Sequence, residues 1–71
     1  MAARPYTNIK VEMTRNGITQ GMIAERYGIA TNTVNNKING RTALTVEEIV
    51  GWRDEFMPDA SLDYLCERSE T

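Results

Sequence analysis

Thr19-Gln20-Gly21-Met22-Ile23-Ala24-Glu25-Arg26-Tyr27-Gly28-Ile29-Ala30-Thr31-Asn32-Thr33-Val34-Asn35-Asn36-Lys37-Ile38-Asn39-Gly40-Arg41 is the stretch whose reading decides how this chain folds. Thr19 suits an N-cap, because its hydroxyl can accept an orphan amide of the first turn. Met22, Ile23 and Tyr27 recur at helical spacing, and Ala24 is small enough for a close crossing. Gly28 stands where that helix must stop, since glycine takes the left-handed conformation without steric cost. A second helix can start at Ala30 or Thr31. Its apolar positions, Val34 and Ile38, are four apart and share a face. Asn39-Gly40 is a suitable C-cap.

Short helix, glycine turn, short helix is the plan of a helix-turn-helix. The outer face of the second helix carries Thr31, Asn32, Thr33, Asn35 and Asn36, none of them a strong helix former. A helix built only for stability would carry Ala, Glu, Lys or Gln there. An Asn amide donates and accepts at once, which matches the N6 and N7 edge of adenine in the major groove. A Thr methyl can meet the thymine methyl. These five residues are the candidate base readers. The competing reading is that Asn and Thr merely cap and turn a marginal segment.

Residues 9 to 65 resemble the lambda-repressor-like, Cro-type helix-turn-helix (XRE-like) family of phage and bacterial transcriptional regulators. The matching pieces are Gly17-Ile18-Thr19-Gln20, Ile23-Ala24, Gly28-Ile29, Thr33-Val34, Asn39-Gly40-Arg41, Glu48-Ile49 and Ser61-Leu62-Asp63-Tyr64-Leu65. The resemblance implies an all-α, compact five-helix domain. It also implies that Gln20 contacts phosphate and braces the recognition helix, and that two subunits pair on DNA. Arg41 and Thr42 would then lie beside the DNA backbone, with Asn39 as a further backbone contact; Lys37 either reaches phosphate too or is an exposed lysine with its stem on the core. One departure is paired. Many relatives place Arg at the Met13 position and Glu at the Ile38 position, and here both are apolar. Packed apolar residues can replace such an ion pair without loss, because two charges no longer need desolvation. Met13 is therefore expected to touch Ile38.

Seventy-one residues specify one domain with a modest core. The chain has one cysteine, Cys66, and no histidine, so neither an internal disulfide nor an N/S-ligated metal is expected, and no cofactor. Nothing reads as a signal peptide and no apolar run approaches a membrane span, so a cytoplasmic location without membrane contact is expected. The net charge of −2 looks wrong for a DNA binder. Its distribution changes the picture. Residues 1–43 carry six bases (Arg4, Lys10, Arg15, Arg26, Lys37, Arg41) against two acids, and residues 44–71 carry two bases against eight acids. One positive half suits a surface that meets phosphate. Modest affinity with a strong loss in salt is expected.

Along the chain, residues 1–7 are expected to form a loose arm and 67–71 a loose tail, with the domain at 8–66. Thr7 or Asn8 can cap a first helix over 8–16, with Ile9 and Met13 on its inner face and Val11 and Glu12 flanking it. Asn16-Gly17 ends it. Gly21 is a poor helix residue, which either allows close approach to a DNA backbone or is neutral drift. Glu25 and Arg26 read as a solvated face. Thr45-Val46-Glu47-Glu48 is a capping box. The helix behind it runs to Phe56 or Met57, with Val46, Ile49, Val50, Arg53 and Phe56 on one face and Trp52 at its edge, until Pro58 stops it. Ser61 caps a last short helix that turns Leu62 and Leu65 inward, and Cys66 reads as a small, partly buried apolar residue.

Two functions fit. The first is a sequence-specific double-stranded-DNA-binding regulator, a Cro-type repressor acting as a homodimer. The second is an antitoxin or other protein-interaction module whose acidic half, with Glu47, Glu48, Asp54, Glu55, Asp59 and Asp63, meets a basic partner. An enzyme is not expected. There is no histidine, no Gly-rich phosphate loop and no nucleophile with a base beside it.

Overall fold

Thr19, Thr45 and Ser61 each begin a helix in the computed structural model, which describes residues 4–68. The Thr19 hydroxyl accepts the Met22 amide at 3.1 Å, and the Ser61 hydroxyl accepts the Tyr64 amide at 3.2 Å. At Thr45 the capping box is complete. The Thr45 hydroxyl accepts the Glu48 amide at 3.2 Å, and the Glu48 carboxylate accepts the Thr45 amide at 3.0 Å. The elements are α1 (Thr7–Arg15), α2 (Gln20–Tyr27), α3 (Thr31–Ile38), α4 (Val46–Phe56) and α5 (Leu62–Cys66). No strand occurs among the described residues, and no helix is long and apolar enough to cross a membrane.

The first three helices end alike. Ile18, Ile29 and Arg41, each just past a glycine, donate their amides back to Met13, Ala24 and Asn36 at 2.8, 3.0 and 2.9 Å. This closes orphan carbonyls of the last turn, and it requires the left-handed backbone seen at Gly28, φ 66°, and Gly40, φ 77°. The first helix starts differently from expectation. Its N-cap is Tyr6, with no side-chain cap bond. Asn8 instead turns its amide to the Tyr64 carbonyl at 2.9 Å and ties α1 to α5.

Ile9, Met13, Ile23, Ala24, Val34, Ile38, Leu44, Ile49, Trp52, Met57 and Leu65 form one core with Tyr6. Met13 and Ile38 both belong to it, and α1 packs on α3. The inner face of α2 is narrower than expected, since Ile23 and Ala24 are buried but Met22 and Tyr27 are exposed. On α4 the expected face is rotated. Val46 is 58% exposed, whereas Trp52 is 2% exposed and central. Burying the indole, the largest apolar side chain present, outweighs burying a valine in the first turn. Gly51 is part of the same arrangement, because a Cβ there would lie 2.8 Å from the Tyr27 hydroxyl.

Three charged side chains make specific ties. Glu12 is buried and pairs with Arg15 at 3.0 Å, as a desolvated carboxylate must. Arg26 holds Glu55 through two bonds of 3.2 and 2.7 Å and ties α2 to α4. Arg68 donates to the Arg4 carbonyl at 2.8 Å and stacks 4.9 Å above the Tyr6 ring. Tyr6 is buried and donates its amide to the Ile38 carbonyl at 2.8 Å. Arg4, Tyr6 and Arg68 thus lie against the end of α3; the remainder of the expected arm and tail, 1–3 and 69–71, lies outside the described residues. The body measures 31 × 25 × 21 Å.

Candidate nucleic-acid interface

The helix α3 is eight residues long, and an α-helix with its side chains is about 10–12 Å across, which fits the width of a DNA major groove. Val34 and Ile38 are fully buried and fix the helix to the body. Its more extensive crossing is with α2. Those two anchors settle which way the polar residues point. Thr31 and Asn32 are exposed, while Thr33, Asn35 and Asn36 are half-buried. Asn32 and Asn36, four apart, stand one above the other.

The Asn35 carbonyl oxygen is already engaged. It accepts from Gln20 Nε2 at 3.3 Å and from Asn39 Nδ2 at 2.8 Å. Asn39 Nδ2 also reaches the Asn35 backbone carbonyl at 2.9 Å, and Asn39 Oδ1 accepts from Lys10 Nζ at 2.6 Å. An amide relay therefore links α1, the end of α3 and the start of α2. The brace expected of Gln20 is present, and its partner on α3 is Asn35. Gln20 and Gly21 lie in the first turn of α2, where backbone amides have no intrahelical acceptor. A Cβ at Gly21 would meet nothing nearer than Thr19 Oγ1 at 3.8 Å, so the space beside it is open.

Arg41 and Thr42 are exposed on the loop after α3. Lys37 is placed otherwise than expected for a phosphate contact. Its side chain is 19% exposed, and its ammonium meets Glu48 at 3.0 Å and the Ala43 carbonyl at 3.0 Å. Burial pushes the Glu48 carboxyl up, but the Thr45 amide, the Lys37 ammonium and the Thr45 hydroxyl together outweigh it and hold it below the ordinary value.

The positive half of the chain is thus thinner in three dimensions than in sequence. Arg15, Arg26 and Lys37 are all in ion pairs. The sequence held a local trace of the first, because Glu12 and Arg15 are three apart on one helix. It held none of the other two, which join residues far apart along the chain. The acidic half is also partly committed, since Glu48, Asp54 and Glu55 each pair with a base.

Two surface depressions lie elsewhere. One of about 430 Å³ is lined by Met22, Glu25, Arg26 and Phe56, and one of about 280 Å³ by Thr7, Asn8, Glu67 and Arg68. No group of His, Cys, Asp or Glu among the described residues is placed to hold a metal. Comparison with known proteins returned no match to a family model, a curated protein or a solved structure.

Proposed function

We propose that this protein is a sequence-specific, double-stranded-DNA-binding transcriptional regulator of the Cro-type helix-turn-helix kind, with α3 as the recognition helix. One observation carries the reading: a short helix anchored by Val34 and Ile38 turns Thr31 and Asn32 outward, with half-buried Asn36 one turn beyond Asn32, beside the open first turn of α2. Thr31, Asn32 and Asn36 read base edges, Thr33 lies at the margin, and Asn35 orients the helix through Gln20. The first-turn amides of α2, with Arg41 and Thr42, hold the phosphate backbone. A two-fold pair of bodies 31 Å in longest dimension can present two such helices about 34 Å apart, one turn of DNA. This is the role of a small phage or prophage repressor.

Selection of bound duplexes from a random library by the full-length protein tests the proposal. Enrichment of an inverted repeat is expected, and its spacing reports the subunit geometry. Binding that stays weak and uniform across sequences would overturn it. The interaction-module reading would then stand first, with Glu47, Asp59, Asp63 and Glu67 of the acidic half outside the observed ion pairs.

A further inference from the structure

We infer that Lys37 and Glu48 form a clamp that fixes the loop carrying Arg41 and Thr42, and that Lys37 is a positioning residue and not itself a phosphate contact. The inference deepens the DNA-binding reading and rests on it for its consequence. The clamp itself is a property of the free protein.

The loop between α3 and α4 is held at each end. At its start, the Arg41 and Thr42 amides both point to the Asn36 carbonyl, at 2.9 and 3.4 Å. At its end, the Ala43 carbonyl accepts from Lys37 Nζ at 3.0 Å, and Leu44 is buried in the core. The same ammonium reaches both Glu48 oxygens, at 3.2 and 3.0 Å. The ammonium thus donates to the Ala43 carbonyl and Glu48 Oε1, and pairs with Glu48 Oε2 as well. Glu48 Oε1 also receives the Thr45 amide at 3.0 Å and the Thr45 hydroxyl at 3.2 Å. One carboxylate thus joins the last turn of α3, the loop and the first turn of α4. Between these ties only Arg41, Thr42 and Ala43 are exposed, and Arg41 has no ion-pair partner among the described residues. A cation so engaged releases no counterion on DNA, whereas Arg41 is free to. The depressed Glu48 titration agrees with a carboxylate that stays charged for this pairing.

The test uses Lys37→Met, which keeps the stem, and Glu48→Gln, which keeps an acceptor for the Thr45 cap. The probe is a mixed-sequence duplex of about 30 base pairs, roughly three helical turns, because phosphate contacts need no operator. Each variant is expected to weaken binding by roughly 3- to 10-fold, and the double variant no further than the weaker single, since both break one clamp. The salt dependence of Lys37→Met stays as in the parent, while Arg41→Gln lowers its slope by about one. Amide exchange at Arg41 and Thr42 in the free protein accelerates in both clamp variants. Glu48→Gln binding as tightly as the parent or more tightly, as simple removal of an acid near DNA would give, overturns the inference. So does a slope reduced by about one in Lys37→Met. If the parent binds no duplex, the DNA reading fails on its own, and the exchange rates decide the clamp: unchanged rates refute it, accelerated rates uphold it.

Discussion

Gln20 Nε2 donates to Asn35 Oδ1 at 3.3 Å and joins the first turn of α2 to the middle of α3. The same oxygen receives Asn39 Nδ2, so Asn35 is the hub of the polar contacts that orient α3. Asn32, one turn earlier, is exposed and has no such contact among the described residues. Two asparagines of one polar stripe therefore have different physical roles.

Asn35→Ala and Asn32→Ala should separate those roles. Asn35→Ala removes the acceptor of two donors and is expected to cost about 1 kcal/mol of stability, with little change in the sequence selected. Asn32→Ala is expected to alter stability by less than about 0.5 kcal/mol, while discrimination at one base pair falls by about 1–3 kcal/mol. Denaturation followed by Trp52 fluorescence, paired with repeated duplex selection, checks both. An unchanged selected sequence in Asn32→Ala would remove this residue from readout.

Gly21→Ala should stabilise the protein. The position is inside α2, and the added Cβ meets only Thr19 Oγ1 at 3.8 Å and Thr31 Oγ1 at 4.0 Å, both ordinary contacts. The gain expected from helix propensity is up to about 1 kcal/mol, or about 4–8 °C in Tm for a domain of this size. Duplex affinity is expected to fall at the same time, because the methyl group occupies the space open to a phosphate. A thermal melt and a binding titration on the same variant check the pair of effects.

Gly40→Ala should be far more harmful than Gly17→Ala, although both glycines have positive φ. At Gly17 an added Cβ meets nothing within 4 Å, so only the left-handed backbone is strained, about 1–2 kcal/mol. At Gly40 it would lie 2.5 Å from the Arg4 carbonyl oxygen and 2.7 Å from Arg68 Nη2. The Arg4 backbone is held there by Arg68, so the clash displaces the whole packed entry of the chain. Urea midpoints of the two variants should differ in that order, and equal midpoints would show that the entry segment yields freely.

Acid should weaken the α3–α4 junction through Glu48. Its carboxyl titrates below its ordinary value in the folded protein. The unfolded chain therefore binds a proton there first as the pH falls. The stabilisation is full above the ordinary glutamate value of about 4.3 and is lost as the pH falls through the lower folded value. Glu48→Gln should flatten this part of the stability profile between neutral and acid pH. An identical acid dependence in the variant would assign the loss to other carboxylates.

Apart from the start of α1, helix termini were legible because their chemistry is local. Thr19, Thr45 and Ser61 bond amides three residues ahead, and Gly28 and Gly40 meet a conformational need that lies within one turn. For the same reason the buried pair Val34 and Ile38, and with it the outward direction of Thr31 and Asn32, followed from spacing alone. The inner face of α4 did not follow, because Val46, Val50 and Trp52 compete for one core, and which is buried depends on the partner helices. The packing of Tyr6 and Arg68, and the partners of Arg26 and Lys37, did not follow from the sequence for one physical reason. A long side chain has many solvated conformations of nearly equal energy, and only a partner brought close by the whole fold selects one. Sequence alone thus determined where α2, α4 and α5 begin, where the first three helices end, and that α3 turns Thr31 and Asn32 outward. Tertiary packing decided which bases remain available to a ligand, by pairing Arg26 with Glu55 and Lys37 with Glu48 and leaving Arg41 outside those pairs.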